Sequence, residues 1–142
     1  MENGKVILVT RGSRSGKSKF AEELFKDEDK VLYIATAIIT DDEMKNRIDK
    51  HISRRNKKWR TYEGFKKLDA VVESSIEPSI MLDCVTIMVT NLMFDKERDF
   101  EKMSLEEIDE LLEELKTEIK QFIVECRKYN KTIRSNKYYY RW

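Results

Sequence analysis

The stretch VILVTRGSRSGKS, Val6 to Ser18, decides how the rest of the chain is read. Its first residues, Val6 to Thr10, form a β-rich apolar run with the character of a buried strand. Its last eight, Arg11, Gly12, Ser13, Arg14, Ser15, Gly16, Lys17 and Ser18, approach the phosphate-loop pattern G-x-x-x-x-G-K-[ST]. A helix with Phe20, Ala21, Leu24 and Phe25 on one face follows. Strand, loop, helix is the context such a loop requires, because backbone N–H groups converging at a helix N-terminus favour phosphate oxygens. In that reading Lys17 reaches the β- and γ-phosphates and the Ser18 hydroxyl coordinates Mg²⁺. The competing reading is an ordinary strand-to-helix turn bearing surface Ser, Arg and Lys. Arg11 is the departure, since the pattern opens on glycine. If that position needs a left-handed backbone, arginine costs about 1–2 kcal/mol, and a displaced cradle weakens nucleotide binding.

Working outward, the alternation of apolar runs and helical periods continues. Val31 to Ala35 reads as a second buried strand, and Ile80 to Asp83 as a third, ending in a carboxylate. Thr40 and Glu43 have capping-box spacing ahead of a helix whose Met44, Ile48, His51 and Ile52 share one face. Leu68, Val71 and Val72 mark a short amphipathic piece. Val85, Met88, Val89 and Leu92 indicate a helix directly after the third strand. Ser104 and Glu107 cap the longest helix, in which Leu105, Ile108, Leu111, Leu112, Leu115, Ile119, Phe122, Ile123 and Cys126 keep the period. That spacing is helical rather than strictly heptad, so packing on a sheet is expected over a coiled coil. Strands alternating with helices imply an α/β fold with a mainly parallel sheet.

The 142 residues suit a single domain, with 40% apolar and 39% charged residues. A net charge of +1 gives no global attraction to nucleic acid or membrane. The basic stretch from Arg47 to Arg60 is a local exception, either a solvated helix face or an anion site. Cys84 and Cys126 form no framework and read as reduced core thiols. With no leader-like segment and no long apolar span, a cytoplasmic protein is expected.

Two further residues carry candidate chemistry. Asp83 ends an apolar run, where a second carboxylate of a nucleotide site lies; it binds Mg²⁺ or, alternatively, caps the next helix. His51 is the only histidine, and Arg47, Lys50, Arg54 and Arg55 surround it within two turns. Nearby cations keep an imidazole neutral and nucleophilic, and they also hold a triphosphate. The plainer alternative is a packed, hydrogen-bonded core histidine.

Taken together, RSGKS, VLYIATA, DDEM-KNRIDKHISRR, WRTYEG and MLDCVTIMVTNLMF, in this order and spacing between about Val6 and Lys131, resemble the bifunctional adenosylcobinamide kinase and adenosylcobinamide-phosphate guanylyltransferase family of cobalamin synthesis. The resemblance implies a P-loop NTPase-like (RecA-like) sheet with flanking helices. It implies two reactions: phosphoryl transfer from ATP or GTP to adenosylcobinamide, and GMP transfer from GTP through a guanylyl-histidine to adenosylcobinamide phosphate. His51 falls at the family's nucleophile. Ala35, Thr36 and Ala37, the run Ile52, Ser53, Arg54 and Arg55, and Glu63 match nucleotide-contacting positions. Asp83 stands where the family commonly carries an acidic residue, with Ser18 as its companion on Mg²⁺. The family also implies a homo-oligomer, a trimer, with no nucleic-acid partner.

Three departures accompany the likeness: Arg11 in the loop, Asn56 where proline is common, and the end of the chain. Residues from about 132 to 142, TIRSNKYYYRW, read as an atypical tail in which Lys137 replaces an expected glutamate. A truncated or frame-shifted end is the expectation there. It leaves the fold incomplete at its C-terminus and the first strand short of sheet neighbours. Another small P-loop kinase with a structural His51, and a catalytically impaired nucleotide-binding remnant, are the alternatives.

Overall fold

The computed structural model describes residues 6–11, 17–38, 41–129 and 131–138, with the backbone alone for residues 10, 11, 17, 18, 47, 48, 51, 54 and 132–138. Three strands follow from the apolar runs: β1 (Val6–Arg11), β2 (Val31–Ala35) and β4 (Ser79–Asp83). Two more carry little apolar signal: β3 (Arg60–Glu63) and β5 (Thr132–Tyr138). All five are parallel, in the order β1-β5-β4-β2-β3. The segment read as an atypical tail thus supplies β5, which runs between β1 and β4; residues 139–142 lie outside the described residues.

Helices α1 (Lys17–Leu24), α2 (Asp42–Arg54), α3 (Leu68–Ser74), α4 (Val85–Phe94) and α5 (Leu105–Lys128) fill the connections. Strand alternation divides the core into two layers. Val9, Val31, Tyr33 and Met81 pack with Ala21, Phe25 and Trp59 on one face. Leu32, Ile34, Ile80 and Leu82 pack with Leu68, Val72, Met88, Phe122 and Cys126 on the other. Strands β2 and β4 are therefore covered on both sides, which is why they read as continuous apolar runs. Strand β1 is different. It pairs only with β5 among the described residues, and Val6 and Leu8 are exposed on the face opposite α1.

The caps are partly as expected. Ser104 Oγ accepts from Glu107 N at 3.1 Å, which starts α5. The cap of α2 is Asp41 rather than Thr40: Asp41 Oδ1 accepts from Met44 N at 2.7 Å. Aspartate is the better N-cap, and the start shifts by one residue; Thr40 itself lies outside the described residues. The helix faces are also narrower than the periodicity suggests. In α1, Ala21 is buried but Phe20 and Leu24 are exposed, and in α2 Ile52 is exposed. No helix among the described residues is long and apolar enough to cross a membrane.

Candidate functional site

Parallel strands align their carboxyl ends, and ligands of open α/β sheets bind along that edge. Here Arg11, Ala35, Glu63, Asp83 and Tyr138 end their strands. Ala35 is the register partner of Glu63 on one side and Asp83 on the other, and Asp83 pairs with Asn136. Residues far apart in sequence thus form one row. Gly12 to Gly16 lie outside the described residues, but their anchors are clear: Arg11 closes β1 and Lys17 opens α1. Arg11 has no left-handed backbone; Lys67, with φ of 49°, is the one non-glycine at positive φ among the described residues. The strain that arginine would incur at a left-handed position is absent.

Thr36 fixes the geometry just beyond β2. It is fully buried, and its N–H donates to Asp83 O at 3.0 Å. Its hydroxyl accepts from Cys84 N at 2.8 Å and lies 2.9 Å from Cys84 O and 3.1 Å from Asp83 O. Thr36 O in turn accepts from Asn91 Nδ2 at 2.7 Å. The turn from β4 into α4, whose Asp83–Cys84 peptide is cis, is therefore stitched to the end of β2. Cys84 is the N-cap of α4 and makes no side-chain cap, so Asp83 does not take the capping role.

The Asp83 side chain instead accepts from the Tyr33 hydroxyl, 2.5 Å from Oδ2. Burial, and then the neighbouring Asp83 carboxylate, push the Tyr33 phenol well above its ordinary pKa, so it is the proton donor of the pair. Over the same ring lies Arg55, its guanidinium carbon 3.6 Å from the centroid. Arg55 is the C-cap of α2 and is buried. His51 sits in the last turn of that helix; its side chain and that of Arg54 lie outside the described residues. Ile52 and Ser53 are exposed, and Ser53 Oγ donates to Lys50 O at 2.8 Å. Glu63 is exposed at the end of β3.

The basic stretch proves heterogeneous. Arg55 stacks on Tyr33, Lys58 pairs with Asp29 at 3.2 Å, and Arg60 makes a two-pronged pair with Glu77 at 2.6 and 3.0 Å. Those last two hold the loop after α2 and the start of β3. Both cysteines are buried and free. Burial pushes the Cys126 thiol up to about 12, which removes it from nucleophilic chemistry at neutral pH.

As to metal, no cluster of three or more His, Cys, Asp or Glu side chains capable of holding an ion occurs among the described residues. Mg²⁺ does not need one. It keeps several waters and takes one or two carboxylates together with substrate phosphates, so a half-buried carboxylate at this edge fits.

The structure thus gathers Ala35, Thr36, Ala37, Glu63 and Asp83 along one edge and adds Arg55. Tyr33 and Asn91 are the residues that sequence reasoning missed. Tyr33 left one signal: a phenol in the middle of a buried strand, which needs a partner for its hydroxyl.

The chain is 52% identical over 92 residues to the bifunctional adenosylcobalamin biosynthesis protein CobU of Escherichia coli (strain K12), an alignment covering 63% of this chain and 51% of that protein. It is 50% identical over 91 residues to the CobU protein of Salmonella typhimurium, covering 63% and 50%. Identity to the bifunctional adenosylcobalamin biosynthesis protein CobP of Pseudomonas aeruginosa is 43% over 89 residues, covering 61% and 51%. The chain spans about half the length of these curated relatives. Residues 7–133 match the family profile described as cobinamide kinase / cobinamide phosphate guanyltransferase, and the chain belongs to that family.

Proposed function

We propose that the chain binds GTP or ATP at the carboxyl edge of its sheet and carries the two activities of its family. The first is phosphoryl transfer to adenosylcobinamide. The second is transfer of GMP to adenosylcobinamide phosphate through His51. The observation that supports this reading is the single row formed by Glu63, Ala35 and Asp83; Asn136 of β5 continues it toward β1, the strand whose end opens the phosphate-loop sequence.

In the guanylyl transfer, the neutral His51 imidazole attacks the α-phosphorus of GTP. The bond from that phosphorus to the bridging oxygen breaks, and pyrophosphate leaves. A phosphate oxygen of adenosylcobinamide phosphate then attacks the same phosphorus, the P–N bond breaks, and adenosylcobinamide-GDP departs with the histidine restored. Two displacements replace one difficult exchange between anionic partners. Arg54 and the phosphate-loop donors, Ser13, Ser15 and Lys17 among them, offset charge on the phosphates in the transition state. Asp83 and Ser18 are the groups that would hold Mg²⁺, which would supply positive charge to the phosphates. The reading also carries a cytoplasmic location and a homo-oligomeric assembly.

The direct test of the kinase activity is turnover. The purified chain, incubated with adenosylcobinamide, Mg²⁺ and γ-labelled nucleotide, yields labelled adenosylcobinamide phosphate, and Lys17→Ala abolishes the product. Tight nucleotide binding with no transfer to the corrinoid refutes this half of the reading.

A further inference from the structure

We propose that Tyr33 is a positioning residue that joins the last turn of α2 to the Asp83 carboxylate, so that the two move as one unit. The inference deepens the function proposed above, since it rests on placing His51 and Asp83 in the reaction.

Both halves of the ring are engaged. Its hydroxyl donates to Asp83 Oδ2, and its face carries the Arg55 guanidinium. Tyr33 is 3% exposed and Arg55 9% exposed, so both contacts are largely withdrawn from water, where a cation–π contact is strongest. Arg55 is not a remote partner. Its N–H donates to Ile52 O at 3.3 Å as the C-cap of α2, and His51 lies four residues earlier, about one helical turn. A tyrosine serving only to fill the core needs one acceptor for its hydroxyl. Tyr33 instead touches two charged groups from two different elements, β4 and α2, and both belong to the proposed nucleotide site. Tilting the ring to release Asp83 also turns its face away from Arg55, so displacement at one end is felt at the other.

Two substitutions separate the contacts. Tyr33→Phe keeps the face and removes the hydroxyl; Tyr33→Leu removes both. The first measurement is hydrogen exchange of the segment spanning residues 49–57 in the wild type, Tyr33→Phe, Asp83→Ala and the double variant. Each single variant speeds exchange there by about threefold or more, and the double variant is no faster than the faster single one, the non-additivity of a shared contact. Unchanged exchange in Tyr33→Phe, or effects that multiply in the double variant, overturns the proposal. The second measurement is the Mg²⁺ dependence of phosphoryl transfer. Tyr33→Phe raises the half-saturating Mg²⁺ concentration by a larger factor than it lowers kcat, whereas loss of core packing alone lowers the melting temperature and leaves the Mg²⁺ dependence in place. If the wild type transfers no phosphoryl group, the functional reading fails, and the exchange cycle still decides the coupling.

Discussion

Thr36 shows what one hydroxyl can hold. It satisfies the Cys84 N–H and faces the carbonyls of Asp83 and Cys84 in a fully buried position. Thr36→Val keeps the shape and strands these groups, at a cost of about 1–3 kcal/mol for the buried donor left unpaired. Denaturant unfolding measures that loss, and a weaker Mg²⁺·nucleotide affinity accompanies it because the turn carrying Asp83 loosens. Arg11 is the converse case. The sequence raises it as a strained intruder, but its backbone is ordinary strand paired with Tyr138. Arg11→Gly therefore gives no gain in stability from relieved strain. It costs about 0.5–1 kcal/mol instead, the entropic penalty of glycine in a strand, as a thermal or denaturant melt will show.

At the scale of elements, the strand β3 and the turn before β4 are locked together by charge. Arg60 grips Glu77, and the buried Lys131 ammonium donates to Ser75 O at 3.2 Å and Glu77 O at 2.5 Å. The Arg60 hydrogen bonds hold the Glu77 carboxyl below its ordinary value. A carboxyl whose folded pKa is depressed contributes stability that is fully present above its unfolded value. That contribution is lost as pH falls through the folded one. Glu77→Gln therefore lowers stability at neutral pH by about 1 kcal/mol, discounted because Arg60 is half exposed, and flattens the acid limb of the stability–pH curve. Equal acid sensitivity in the two proteins contradicts this.

How legible each element was depends on its surroundings. Strands β2 and β4 are covered on both faces and announce themselves as apolar runs. Arg60–Glu63 has three exposed residues out of four and borrows its strand conformation from β2, so no periodicity betrays it. In Thr132–Tyr138 the sole aliphatic residue is Ile133, paired with Val6 and Ile80; hydrogen bonding to neighbours on both sides, not side-chain pattern, makes it a strand. The site followed the same logic. Asp83 drew notice by its place at the end of an apolar run, and Thr36 only through the family resemblance. The Tyr33–Asp83–Arg55 contact was not, because it depends on which strands become neighbours.

At the scale of the whole molecule, five parallel strands deliver every candidate nucleotide residue of the strands to one edge, while β1 keeps an exposed face with Val6 and Leu8. A ligand that binds only the folded state stabilises it by mass action, by about 2.7 kcal/mol at a hundredfold excess over Kd. Mg²⁺·GTP is expected to raise the melting temperature accordingly, and Lys17→Ala to abolish the rise. The guanylyl-histidine, however, is a covalent species and can be trapped directly. The chain should be incubated with α-labelled GTP and Mg²⁺, then denatured and divided between acid and alkali. Label on the protein that survives alkali, is lost in acid and is absent from His51→Ala is the expected result. A folded, GTP-binding protein that takes up no label, or one whose label persists in His51→Ala, contradicts it.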